Sequence, residues 1–157
     1  MPLWKMPPKA KIFEALGAIA DQRVHLVDSG KAEVVSSSGG KTYIVEWSED
    51  LTSFSSNDNA SYWQGYIGYP IIAVLMKIGQ LEFSNEAAHA LSGIPWKQIN
   101  QQYKNNYEKT IDDVLTRVEA NGVDRTIITT EVERLSKHLE KLALKRLAKR
   151  QAPPKGM

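Results

Sequence analysis

The chain of 157 residues contains no cysteine. That absence excludes disulfides and thiolate-bound zinc, and it suits a reducing compartment. Long hydrophobic runs are missing too. The longest, Ile71 to Met76, is far shorter than the ~20 residues a membrane-spanning helix requires. The opening stretch, Met1-Pro2-Leu3-Trp4-Lys5-Met6-Pro7-Pro8, lacks the apolar centre of a signal peptide. A cytoplasmic protein without membrane association is therefore expected. Histidine is scarce, and His25, His89 and His138 lie in separate segments without metal-ligand spacing. No glycine-rich phosphate loop is present, because Gly39-Gly40 belongs to a hairpin turn. Asp112-Asp113 and Glu131-Val132-Glu133 fall at helix starts, where capping accounts for them. No catalytic residue, metal or cofactor is expected, and an enzyme is the minority expectation.

What is present is the composition of a folded domain. Apolar residues make up 42% and charged residues 24%, values that separate the chain from disordered sequences. A chain of this length can bury about two-thirds of its unfolded surface, so it needs no staples. The net charge of +2 is unevenly spread. From Arg134 onward, Lys137, Lys141, Lys145, Arg146, Lys149, Arg150 and Lys155 also face a single acid, Glu140, so the remainder is net acidic.

Periodicity gives an α+β fold. Pro7-Pro8 introduce a helical pattern with Ile12, Phe13, Leu16, Ile19 and Ala20 on one face. Strands follow at 23–27, 32–36, 41–48 and 52–55, separated by turns at Asp28-Ser29-Gly30, Ser38-Gly39-Gly40 and Glu49-Asp50. In the third strand Tyr43, Val45 and Trp47 alternate with Thr42, Ile44 and Glu46. The result is an N-terminal helix with a three- to four-stranded antiparallel meander. A polar and aromatic loop runs from Asn57 to Tyr69. Pro70 then opens a helix that is apolar almost all round and is expected to be buried and central. The second half reads as helical, with starts at Ser84, Pro95, Thr110 and Thr130 and the last helix running basic to about Gln151. Residues 1–82 are expected to form the α+β domain, with residues 83–157 packed on it.

From the first helix to Leu81 the chain resembles a SWIM-type zinc-finger region. In that family a helix and a meander precede a Cys-x-Cys pair, a variable loop follows, and Cys-x-His opens an apolar helix. The order of elements is the same here. Gly68-Tyr69-Pro70-Ile71-Ile72-Ala73-Val74-Leu75 is similar to the family's Cys-Lys-His-Ile-hydrophobic-Ala-hydrophobic-Leu segment. The ligand positions would be Ser53, Ser55, Gly68 and Pro70, none of which supplies a thiolate or imidazole. The resemblance thus implies a SWIM-like region with all zinc ligands lost, as in small archaeal proteins carrying the same Ser-Asn-Asp-Asn and Gly-Tyr-Pro elements. Something must replace the metal's contribution to folding. Tyr62, Trp63, Tyr66 and Tyr69 are the expected substitute, packed as a dry plug.

Two groups of residues are candidates for binding. Asn57, Asp58, Asn59, Tyr62, Trp63 and Tyr66 offer rings among amides, suited to base stacking or peptide capture if exposed. The competing reading turns the rings inward and uses the Asn-Asp-Asn run for side-chain turns. Lys137, Lys141 and Lys145 recur at four-residue spacing, with Arg146, Lys149 and Arg150 beside them, a stripe that could track phosphates or simply face solvent. SWIM-type regions are associated with DNA and protein binding. The expected function is therefore a non-catalytic module binding DNA, RNA or a nucleic-acid-associated protein. A homo-oligomeric assembly protein is the alternative, and an enzyme with a pocket near Asp58 is the second.

Overall fold

Between Ala10 and Ala20 only Lys11 and Glu14 carry charge, and this run forms helix α1 (Lys9–Ala20) in a computed structural model that describes residues 2–148 and 152–154. The expected single apolar face is too narrow. Every residue from Ala10 to Ala18 is buried, Lys11 and Glu14 included. The reason is position, since α1 touches α2 (Tyr69–Lys77) on one side and α3 (Asn85–Ala90), α5 (Tyr107–Ala120) and α6 (Arg125–Leu142) on others.

The sheet has five strands in sequential order: β1 (Val24–Asp28), β2 (Lys31–Val35), β3 (Thr42–Trp47), β4 (Ser53–Ser56) and β5 (Lys145–Arg146). The first four form the expected antiparallel meander, with Ala32 opposite Val45 and Val34 opposite Tyr43. These four side chains are buried, as period-two alternation requires. Helix α2 lies against β1 through β4 and is buried from Pro70 to Met76, so its all-round apolar character fits its place. A single hydrophobic cluster links Val34 and Val45 of the sheet to Leu16 of α1, Val114 of α5 and Leu135 of α6.

The helical half differs from expectation at its boundaries. Ser84 caps α3 as expected, accepting from the Ala87 amide at 3.2 Å. Helix α4 (Trp96–Gln102) follows Pro95. Helix α5 starts earlier than Thr110, because Asn106 accepts from the Lys109 amide. Helix α6 starts earlier than Thr130, because Asp124 accepts from the Thr126 amide at 2.9 Å. The largest correction is at the other end. Helix α6 stops at Leu142, where Ala143 turns left-handed with φ 46°, instead of running on to Gln151. Backbone pairing takes over: Lys145 N–H donates to Thr52 O, Leu147 N–H to Phe54 O and Arg146 N–H to Pro2 O, placing β5 parallel to β4. Among the described residues no helix is long and apolar enough to cross a membrane.

Candidate binding cleft

The two buried charges of α1, Lys11 and Glu14, stand one turn apart and line a cleft of about 560 Å³. Its walls come from α1, β3, the loop before α2, α4 and α5. Lys11 Nζ lies 3.0 Å from Glu14 Oε2, Asn100 Nδ2 donates to Glu14 Oε1 at 3.1 Å, and the ammonium sits 4.9 Å from the centre of the Tyr107 ring. Burial alone would lower the Lys11 pKa, but the Glu14 charge and the Tyr107 hydroxyl outweigh it and hold the ammonium above its ordinary range. A buried charge needs such partners, since an isolated one costs several kcal/mol, to order of magnitude.

Arg23 enters the cleft where the chain leaves α1. Gln22, with φ 55°, makes the left-handed turn that directs it there. Its Nη1 donates to Val35 O at 2.7 Å, and its guanidinium lies 6.0 Å from the centre of the Tyr69 ring. Asp21 Oδ2 is 3.9 Å from Nε, too far for a hydrogen bond, while Asp21 Oδ1 already accepts from the Ser92 hydroxyl and the Gly93 amide. Tyr69 in turn meets Tyr43 edge to face at 6.3 Å. Burial is the main cause that raises the pKa of Tyr43 and Tyr69, and in Tyr69 it outweighs the nearby Arg23. Tyr66 is pushed up to about 12, first by burial and then by its hydrogen bond with Tyr107. These three phenols are neutral at physiological pH.

Among the described residues six buried side-chain polar atoms lack a hydrogen-bond partner. Five of the six belong to residues of this cleft: Arg23 Nε and Nη2, Trp96 Nε1, Asn100 Oδ1 and Glu14 Oε2, the last held by the Lys11 ion pair. All are closed to solvent. Trp96 reaches this position because Gly17 has no side chain; a Cβ there would lie 2.8 Å from Trp96 Nε1 and 3.2 Å from Leu91 O. The lining carries four cations, Lys11, Arg23, Lys41 and Lys97, against two carboxylates, Glu14 and Asp58.

The aromatic loop divides between its two readings. Asn57 and Asp58 are buried and support the fold: Asn57 Oδ1 accepts from the Ile44 amide at 2.7 Å, and Asp58 accepts from the Ser56 and Ser61 hydroxyls and the Ser61 amide. Ser61 Oγ accepts from the Gly68 amide at 3.2 Å, tying the loop to the start of α2. Gly68 cannot be larger, since a Cβ would fall 2.2 Å from Asp58 Oδ2. The rings do not form the expected dry plug. Residues 60–64 wind into a π-helix that leaves Trp63 69% exposed and stacked on Tyr62 at 4.6 Å, while Tyr66 and Tyr69 are half-buried on the cleft. Hydrogen bonding through Asp58 fastens this junction together with the edge-to-face contact of Tyr69 on Tyr43. Asn59 is exposed. Of the serine, glycine and proline at the zinc-equivalent positions, Ser53 and Ser55 are buried on β4 beside β3 and β5. Among the described residues no three His, Asp or Glu side chains converge where a metal ion could be held.

The basic stripe is interrupted. Lys137 and Lys141 are exposed on α6, Lys145 is exposed on β5, and Arg146 is half-buried with its guanidinium 4.7 Å from the Trp4 ring centre. Lys149 and Arg150 lie outside the described residues. The residues that build the cleft floor, Lys11, Glu14, Arg23 and Asn100, did not stand out from spacing. Two charges inside an otherwise apolar eleven-residue run were the available signal for the first pair.

The chain belongs to the family described as uncharacterised conserved protein UCP014422. The match covers residues 4–145 and so includes every residue of the cleft. No curated protein and no solved structure matches the chain.

Proposed function

We propose that this protein is a binding module whose cleft takes a small ligand bearing an oxyanion, a carboxylate or a phosphate. The observation that carries this reading is one edge of Arg23: Nε and Nη2, two donors pointing the same way, are buried without a hydrogen-bond partner, with Asp21 Oδ2 standing off at 3.9 Å from Nε, on a cleft lined by four cations and two carboxylates. That edge matches two oxygens of one oxyanion. Buried polar groups in folded proteins are almost always satisfied, so a group of them at one cleft is where water, an ion or a ligand completes the bonding, and the excess of cations on the lining favours an anion. Because the atoms are closed to solvent, ligand contact requires side-chain adjustment, which is common on binding.

Binding is favoured over catalysis by the state of the titratable groups. The ammonium and phenols are held protonated, and both carboxylates are engaged, Glu14 by Lys11 and Asn100 and Asp58 by Ser56 and Ser61. General acid–base catalysis works best with a group poised near the operating pH. The volume falls within the range of about 300–1,000 Å³ common to small-molecule sites.

Thermal melting at constant ionic strength, with chloride replaced stepwise by phosphate, pyrophosphate or citrate, tests the reading. A saturable rise in melting temperature is expected with one or more of these ions, absent in Arg23→Gln and reduced in Arg23→Lys, which keeps charge but loses the fork. No rise with any of them, or a rise that Arg23→Gln leaves intact, contradicts it.

A further inference from the structure

Resting on the oxyanion reading, the geometry points to a more specific ligand: we infer that the cleft holds one nucleoside monophosphate unit, either free or as the phosphorylated end of a single strand. Three features sit on the same cleft and call for three parts of one molecule. Arg23 supplies the fork for a phosphate, with Lys11 adding positive charge. Asn100 supplies an acceptor. The bond from Asn100 Nδ2 to Glu14 Oε1 fixes the amide orientation, so Asn100 Oδ1 must be met by a donor, and a sugar hydroxyl is one. A plain anion has no such donor.

The third feature is Trp63 at the cleft rim. It is 69% exposed, and Tyr62 lies parallel to it at 4.6 Å with an interplanar angle of 3°. One face of the indole is therefore covered and its opposite face is open. An exposed large ring held flat by a neighbour is a stacking platform, and every base has a π-face to lay on it. The phosphate, sugar and base thus meet Arg23, Asn100 and Trp63 in turn. Lys41 and Lys97, also on the cleft, add the positive charge that would guide the phosphates of an attached strand.

Calorimetric titration of the full chain separates the parts. The probes are inorganic phosphate, ribose 5-phosphate, adenosine, the nucleoside monophosphates of the common bases, and a short single-stranded oligonucleotide with or without a 5′-phosphate. At least one nucleoside monophosphate, or the phosphorylated oligonucleotide, is expected to bind about tenfold more tightly than ribose 5-phosphate, the size of one stacking contact. Trp63→Ala should abolish that gap and leave ribose 5-phosphate binding unchanged. Tighter binding of the 5′-phosphorylated strand than of the free nucleotides, lost without its phosphate, identifies a nucleic-acid end as the source; the reverse order identifies a free nucleotide. If ribose 5-phosphate binds through Arg23 but no base adds affinity, or Trp63→Ala weakens both equally, the nucleotide assignment is overturned while the oxyanion cleft stands. If no oxyanion binds at all, the cleft reading itself falls.

Discussion

The Asp58 cluster and the cluster of Lys11, Glu14, Arg23 and Asn100 invite comparison. Both contain buried charge, at Asp58 in the first and at Lys11 and Glu14 in the second, where Arg23 and Asn100 are half-buried, and both border the same cleft. They differ in closure. Asp58 accepts from two serine hydroxyls and an amide, and Gly68 fits against it without room for a methyl group. The second cluster leaves two Arg23 donors and an Asn100 acceptor unmatched. A closed buried network rigidifies the fold; an open one holds hydrogen-bonding capacity in reserve for a partner. On the proposed function, the first cluster serves stability and the second recognition.

Substitutions should separate these roles, and the largest effect belongs to the closed cluster. Asp58→Ala strands the Ser61 amide and two hydroxyls and should lower stability in urea by about 3 kcal/mol. The melting temperature should fall by about 6–12 °C. A loss below about 1 kcal/mol would remove Asp58 from its structural role. Glu14→Gln comes next. It keeps an acceptor but leaves the Lys11 ammonium buried without a counter-charge, and about 2 kcal/mol should be lost in the same urea experiment. Unchanged stability would mean that Lys11 finds another partner or reaches water.

Alkaline pH acts on the phenols of the open side. The folded-state pKa of Tyr66, about 12, lies above its unreacted value of 10.0, so the folded state binds the proton more tightly. Its contribution is fully present below pH 10 and is lost as pH rises toward 12, and Tyr43 and Tyr69 shift in the same direction. Phenolate absorbance should therefore show a late-titrating group of tyrosines whose ionisation accompanies unfolding. Titration of all tyrosines together near pH 10, with the fold intact, would show the cleft walls to be open to water. The smallest stability effect is expected at Arg23, the residue proposed to carry binding. Arg23→Met exchanges one bond to Val35 for relief of two unmatched donors, so stability should stay within about 1 kcal/mol of the parent while oxyanion binding disappears.

Much of the architecture was legible because it rests on local periodicity. Alternation in β3, the turn signals between the strands and the apolar run after Pro70 gave the meander and α2. The helix starts at Asn106 and Asp124 were hidden by stronger-looking capping patterns one turn or more further along. β5 was not legible at all. A two-residue strand exists because Thr52 and Phe54 offer it carbonyls, and no pattern within Lys145–Arg146 records that. The same reasoning applies to the site. Trp63 and Tyr66 stood out as rings in a polar loop, and both reach the cleft. Arg23, Asn100 and Tyr107 come from separate elements and acquire meaning only when α1 brings them together. Asn57 and Asp58 drew notice for their composition, yet their side chains close the loop rather than face a ligand.

The central claim is that the free edge of Arg23 receives an oxyanion. Proton–nitrogen correlation spectra of the arginine side chains report on it directly, with the Arg23 Nε–H resonance identified by its loss in Arg23→Lys. Titration with inorganic phosphate at constant ionic strength should move that resonance along a saturable curve while the Arg117 and Arg134 resonances stay in place, their Nε–H groups already bonded to Asp113 and Glu131. A stationary Arg23 signal, or equal drift of all three, would contradict the account.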